Sequence, residues 1–279
     1  MTPTVVQVRK YVLLAPSITL VVMFFIVPFV FLFTVSLTRR ETFFFTPDYT
    51  FANYIKTWDS YGFEFQITLG MAAAAAAVDV VLGFPFAYIM IRKVRRFGGL
   101  FRSILLVPLF GELYIAFGLY YLFLPQGPLA FVFEALGIQV FEALYSLPSA
   151  VAALAIFTFP FAVLQIGVAL NQVDTVLEES AKCLGASSLR TLYKVTIPLT
   201  SPGIVSGWLM AFGWNIGAYA IPVLMGGVAV GQNVLSVKIR SVALLMMNFG
   251  LASALAVTLV LVGAATSYFS TRMSRGALL

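Results

Sequence analysis

The chain has 279 residues, 61% of them hydrophobic and 10% charged, with 17 Lys and Arg against 11 Asp and Glu, a net charge of +6 and a mean hydropathy of +0.99. So little polar surface cannot cover a water-soluble globule, and an integral membrane protein is expected. A single cysteine, Cys183, and no histidine exclude a disulfide framework, most transition-metal sites and any Cys-His or Ser-His-Asp catalytic arrangement.

A helix crosses the hydrocarbon layer with about 20 apolar residues and pairs its own backbone groups, whereas a β-barrel would show short alternating strands. Six such stretches are predicted, at residues 11–36, 65–91, 103–124, 148–172, 201–222 and 249–271, as an all-α bundle. The first follows Arg9 and Lys10 as a signal peptide would, but its apolar run is too long and lacks a small-residue cleavage site; it is read as a retained helix. The second holds Asp79, and the third holds Glu112 just after Pro108, with Gly111 and Gly118 expected to loosen it. Pro125-Gln126-Gly127-Pro128 predicts a turn, and Leu129 to Leu136 a short interfacial helix. In the fifth span Gly203 and Gly207, then Gly213 and Gly217, recur four apart, a face suited to close helix packing or to sliding against a partner. Leu235, Ile239, Val242 and Met246 then recur at helical spacing, with Lys238 and Arg240 on other faces.

Basic residues favour the cytoplasmic side. With the N-terminus inside, that side holds Arg9, Lys10, Arg92, Lys93, Arg95, Arg96, Arg102, Lys182, Arg190, Lys194, Arg272 and Arg275, and the outer side Arg39, Arg40, Lys56, Lys238 and Arg240. Both termini are therefore expected in the cytoplasm, and the positive charge is explained by anionic lipid without nucleic acid. Asp79 and Glu112 are costly in hydrocarbon, so each should face the bundle interior, a cavity or a partner. With Tyr114, Tyr120, Tyr121 and Trp214 they would offer the anionic, aromatic surface that an organic dication requires; Asn215 and Tyr219 lie along the same helix as Trp214 and are further candidates for a solute path. The alternative for Asp79 is a hydrogen bond to a neighbouring helix.

This topology puts residues 173–200 inside the cell. A short helix is predicted from near Thr175, with Glu178 and Glu179 in its first turn at the positive end of its dipole and Leu177, Ala181 and Leu184 on one face. Gly185 permits the left-handed backbone that ends it. A second helical run from Ser187 carries Leu189, Leu192, Tyr193 and Val195, and Pro198 and Pro202 are expected to close it before the fifth span.

Within this loop Glu179-Ser180-Ala181 is followed after three residues by Gly185 and, nine residues later, by Val195-Thr196-Ile197-Pro198. That spacing resembles the signature loop of permease subunits in bacterial ABC importers, Glu-Ala-Ala, three residues, Gly, nine residues, Ile-x-Leu-Pro. Thr50-Phe51-Ala52-Asn53-Tyr54 in the first outer loop, Leu82-Gly83-Phe84-Pro85-Phe86-Ala87-Tyr88 in the second span and Val223-Leu224-Met225-Gly226-Gly227 after the fifth are similar to the spermidine/putrescine type, and to the first permease of its pair. The resemblance implies a type I importer permease of six transmembrane helices. It divides into 1–62 (first helix and periplasmic loop), 63–272 (the transporter domain, coupling loop 173–200 included) and a cytoplasmic tail, 273–279. It also implies a coupling element, Glu178, Glu179, Ser180, Ala181, Leu184, Gly185 and Pro198, docked in an ATPase groove, with Glu179 meeting a basic group there. The implied partners are a second, homologous permease, two ATPase subunits and a periplasmic binding protein. No Gly-rich loop ending in Lys-Ser or Lys-Thr is present, so this chain is expected to be no enzyme and to bind no cofactor, with ATP and Mg on the ATPases.

The cargo suggested is a polyamine or similar organic cation, with ferric ion, an aminophosphonate or a sugar as alternatives. A self-sufficient secondary transporter is the rival class; it would show an internal repeat and ion-coupling groups in the membrane.

Overall fold

The computed structural model describes residues 14–38, 48–94, 107–124, 126–137, 145–226 and 233–276, with 99, 103 and 105 besides. Arg9, Lys10, Arg39, Arg40, Arg95, Arg96, Arg102, Pro125, Gly227 and the side chain of Arg275 lie outside the described residues. Helix dominates: α1 (Leu14–Ser36), α2 (Ala52–Lys93), α3 (Glu112–Phe123), α4 (Ala130–Ala135), α5 (Leu147–Gln172), α6 (Thr175–Cys183), α7 (Ser188–Ile216), α8 (Ala220–Met225), α9 (Leu235–Leu244) and α10 (Phe249–Gly276). Among them α1, α2, α5, α7 and α10 are long and apolar enough to cross a membrane, and α3 is a shorter apolar helix.

The chain forms two compact units, one of Met1–Tyr61 with Ile239–Thr258 and one of Gly62–Lys238 with Leu259–Leu279. In the first, no residue of the apolar window of α1 is buried. Its end is pinned to the start of α2: the Asn53 amide donates to the carbonyls of Ser36 (2.9 Å) and Thr38 (2.8 Å), and the hydroxyls of Ser36 and Tyr54 lie 2.7 Å apart. Ala52, Asn53 and Tyr54 are thus helical rather than part of a loop, because α2 begins thirteen residues before the predicted span, its backbone interrupted once at Tyr61 (φ −122°, ψ 16°).

In the second unit the core is built from small residues that let helices approach closely. Ala72, Ala75 and Ala76 of α2 and Ala150, Ala153 and Ala162 of α5 are almost wholly buried, alongside Leu154, Val163, Ile166 and, from α8, Ile221. The tightest contact is α7 on α5. A Cβ added at Gly203 would lie 2.2 Å from that of Ala169, and one at Gly207 would lie 3.1 Å from the Ala162 carbonyl oxygen. This face is occupied by the chain's own fourth span, so Gly203 and Gly207 serve close packing and have no free surface on which to slide.

Two proline expectations are corrected. Pro198 and Pro202 lie inside α7, which runs unbroken from Ser188 to Ile216. Leu192–Thr196 widen into a π turn, where the Ile197 N–H reaches the Leu192 carbonyl, and Pro198 enters the helix one residue later. The same device precedes Pro28, with Val22–Ile26 in π geometry and the Val27 N–H on Val22. A wide turn relieves the clash between a proline ring and the carbonyl four residues back, so the helix continues.

The third span also departs from the continuous helix over 103–124. Val107–Phe110 form a 3₁₀ turn, Gly111 takes φ +129°, and α3 starts only at Glu112. Its 12 residues reach about 18 Å, short of a hydrocarbon core about 30 Å thick. Pro108 supplies no N–H and Gly111 alone tolerates that φ, which is why the run breaks there. The fifth span breaks as well, at Gly217–Tyr219 between α7 and α8.

Candidate functional site

The 173–200 segment is locally programmed. Asp174 Oδ1 accepts the Val176 N–H (2.9 Å) and starts α6. Gly185, at φ +84°, ends it: its N–H reaches Lys182 O (2.9 Å) and the Ala186 N–H reaches Ala181 O (3.0 Å), the paired bonds of a left-handed helix cap. Ser187 then caps α7, its Oγ accepting the Arg190 N–H. A Cβ at Gly185 would meet nothing within 4 Å, so its need is purely conformational. Gly185→Ala should cost about 1–2 kcal/mol of backbone strain and release the last turn of α6. Hydrogen exchange reads this as faster exchange at Leu184, Gly185 and Ala186; unchanged protection would refute it.

The faces of α6 are inverted relative to ordinary amphipathic logic. Leu177 and Leu184 are exposed, Leu184 by 89%, together with Val176, Leu189 and Tyr193 nearby. Glu179 and Ser180 are exposed, Ala181 is half-buried and Pro198 is exposed. Glu178 instead points inward, 5% exposed. Its Oε1 lies 3.3 Å from Nε of Arg92, whose Nη2 donates to the carbonyls of Leu170 (3.2 Å) and Val173 (2.7 Å). Glu178 is therefore an internal ion-pair partner, and the outward surface is Glu179 and Ser180 with an apolar rim.

The two intramembrane acids differ in kind. Asp79 is fully buried, with Oδ2 2.6 Å from Thr158 Oγ1, which also accepts the Asn215 amide at 3.0 Å. Asp79, Thr158 and Asn215 thus join α2, α5 and α7 by hydrogen bonds in the interior, and none of the three is in the lining of the cavity that holds Glu112. This is the hydrogen-bonded alternative for Asp79.

Glu112 does line one, a cavity of about 680 Å³. Its Oε1 accepts the Ile221 N–H (2.8 Å) and its Oε2 the Tyr219 N–H (3.2 Å), so the carboxylate bridges the break between α7 and α8 while standing in the first turn of α3. Backbone donors and the helix dipole are what stabilise a carboxylate away from water. In the same lining Trp214 stacks on Phe161 at 4.9 Å and meets Phe157 edge-on at 6.4 Å, with Met210 and Ser267 beside them. Gly213 and Gly217 also line it, so the second glycine pair opens space where the first closes it. Of the tyrosines, Tyr114 and Tyr121 are exposed and outside this lining, Tyr120 pairs its hydroxyl with that of Tyr145 (3.2 Å), and Tyr219 contributes its backbone rather than its ring to Glu112.

The sequence reading missed Phe157, Phe161, Met210 and Ser267 of this wall, and Arg92 beneath the loop. For the aromatic pair a signal existed, since Phe157 and Phe161 are four apart on one helical face. For Arg92, which lies 86 positions from Glu178, there was none.

The family described as "Binding-protein-dependent transport system inner membrane component" matches residues 8–276. The spermidine/putrescine transport system permease protein PotB of Escherichia coli (strain K12) is 29% identical over 235 residues, 82% of this chain and 84% of that protein. The molybdenum transport system permease protein ModB of the same organism is 32% identical over 157 residues, 55% of this chain and 66% of that one. Among solved structures, a bacterial ABC transporter involved in the import of the acidic polysaccharide alginate aligns over 95% of this chain and 94% of its own, with a TM-score of 0.71 at 18% identity. The MetNI methionine ABC transporter aligns over 80% and 98%, with a TM-score of 0.57 at 16% identity.

Proposed function

The chain belongs to the family of binding-protein-dependent transport system inner membrane components, and on that premise we propose that it forms part of the path of an ABC importer for a small organic cation of the polyamine class. The observation that carries the cargo is the cavity: one carboxylate, Glu112, bound by two backbone N–H groups, in a lining that also holds Trp214, Phe161 and Phe157. Aromatic faces and an anion together attract an ammonium group, while the same carboxylate repels an oxyanion such as molybdate. The similarity to PotB points the same way.

In this reading both termini lie in the cytoplasm, because the basic segments flank that side. A second, homologous permease completes the path, a periplasmic binding protein delivers the solute, and two ATPase subunits carrying ATP and Mg press on residues 173–200, which lie between the fourth and fifth spans. Glu179, Ser180 and Leu184 meet the ATPase, and Gly185 holds the turn that presents them. The exposed apolar rim of Val176, Leu177, Leu184, Leu189 and Tyr193 supports this, since such a surface outside the membrane calls for a partner.

The test is uptake by vesicles containing the complete transporter with its binding protein. Labelled spermidine should accumulate with ATP, and unlabelled putrescine should compete while molybdate and maltose do not. Accumulation of molybdate or maltose in place of spermidine would overturn the cargo; accumulation without any ATPase subunit would overturn the importer mechanism itself.

A further inference from the structure

Arg92, at the end of α2, gathers the end of α5 and the start of α6, both more than 70 positions further along the chain. It sits in the π-helical segment Ile89–Lys93 that ends α2, and that wide turn sets the direction in which the last residues of the helix project. Its Nη2 caps the C-terminal end of α5 through the Leu170 and Val173 carbonyls, which lie at the negative end of its dipole, Leu170 O also accepting the Val173 N–H at 3.3 Å. Its Nε faces Glu178 in the first turn of α6 at 3.3 Å. Both side chains are nearly buried, at 11% and 7% exposure, so this pair is shielded from the water and salt that weaken surface pairs. Between α5 and α6 run just two residues, Val173 and Asp174, an elbow free to bend unless something braces it.

We propose that Arg92 is that brace: a positioning residue that welds α6 to the ends of α2 and α5, so that a push on the exposed face of α6 moves both membrane helices as one body. The inference rests on the reading that residues 173–200 receive the ATPase. A planar guanidinium suits the task because its fixed fork reaches a carboxylate and two carbonyls at once, which an ammonium cannot reproduce. The division of labour within the Glu178-Glu179 pair follows. Glu178 transmits inward and Glu179 faces the partner.

The experiment uses the complete transporter and needs no knowledge of the cargo. Nitroxide labels are placed on the native Cys183 at the end of α6 and on Val81→Cys, an exposed position of α2, and their distance distribution is measured by pulsed electron resonance with and without ATP and Mg. The unaltered Arg92 transporter should give a narrow distribution whose mean stays fixed when nucleotide is added. Arg92→Ala should broaden it and make the mean shift with nucleotide, and Glu178→Gln should do so to a smaller degree. If Arg92→Ala fails to assemble, Arg92→Lys carries the test, with broadening again expected. A narrow, fixed distribution in these variants overturns the brace, as does a nucleotide-dependent shift with Arg92 in place. Co-purification keeps the two readings apart: an unaltered chain that retains no ATPase overturns the docking reading and the brace with it, whereas retained ATPase with an unaffected distribution overturns the brace alone.

Discussion

Among Gly203, Gly207, Gly213 and Gly217, Gly203→Ala should be the most damaging single-methyl addition. The new Cβ would lie 2.2 Å from the Ala169 Cβ and 3.2 Å from the Gln165 carbonyl oxygen, and a methyl on a helix backbone cannot rotate away. The helices must separate, and overpacking of this kind costs about 1–3 kcal/mol or more. Gly207→Ala, at 3.1 Å from the Ala162 carbonyl oxygen, should cost less but remain destabilising. Gly213→Ala meets the Thr266 hydroxyl at 3.0 Å, the end of a side chain that can turn, and Gly217→Ala meets nothing nearer than 3.9 Å. Replacing the helical Gly213 by alanine favours the helix by about 1 kcal/mol, which offsets its contact, and Gly217 caps α7 with φ −86° and ψ −5°, which alanine accepts, so these two should be close to neutral. Thermal unfolding in detergent should therefore rank Gly203→Ala well below Gly207→Ala, with the other two near the unaltered chain. Equal melting points for Gly203→Ala and Gly217→Ala would show that α5 and α7 are not packed as described.

That ranking also shows what a single sequence can and cannot reveal. All four glycines have the same spacing, and spacing predicts one smooth face. Which pair packs and which opens a cavity depends on what lies across from it, Ala162 and Ala169 in one case and the cavity also lined by Glu112 in the other. The spans were legible because hydropathy and length follow from the bilayer itself. The cap at Gly185 was legible because it is made by neighbours in sequence. The continuation of α7 through Pro198 was not, since local rules treat proline as a stop and the π turn that accommodates it carries no residue signature. Glu178 was misjudged for a related reason: its place in a first turn suits the helix dipole whether it faces out or in, and only Arg92, folded against it from the end of α2, decides.

Glu112 and Asp79 should part company when each is replaced by its amide. Glu112→Gln keeps an oxygen for one of the two N–H groups of Tyr219 and Ile221 but removes the charge from the cavity lining. A desolvated cation over an aromatic face gains about 2 kcal/mol, and loss of the carboxylate in the same cavity should remove about as much, so that KM for spermidine uptake rises by about thirtyfold, at about 1.4 kcal/mol per tenfold. The melting point should fall little, because the helix break keeps one of its bridging bonds. Asp79→Asn should do the reverse. Its Oδ1 can still accept from Thr158, and none of the three triad residues is in the cavity lining, so KM should stay unchanged while stability drops slightly. Asp79→Ala should cost about 1 kcal/mol, since it removes one buried hydrogen bond while the Thr158 hydroxyl keeps the Leu154 carbonyl (2.9 Å) and the Asn215 amide keeps Thr158 Oγ1, and again leave KM alone. An Asp79→Asn transporter with impaired KM and normal stability would put that carboxyl on the solute path. A Glu112→Gln transporter with normal KM would make the Glu112 carboxylate a helix cap and nothing more, and the cation assignment would lose its chemical basis.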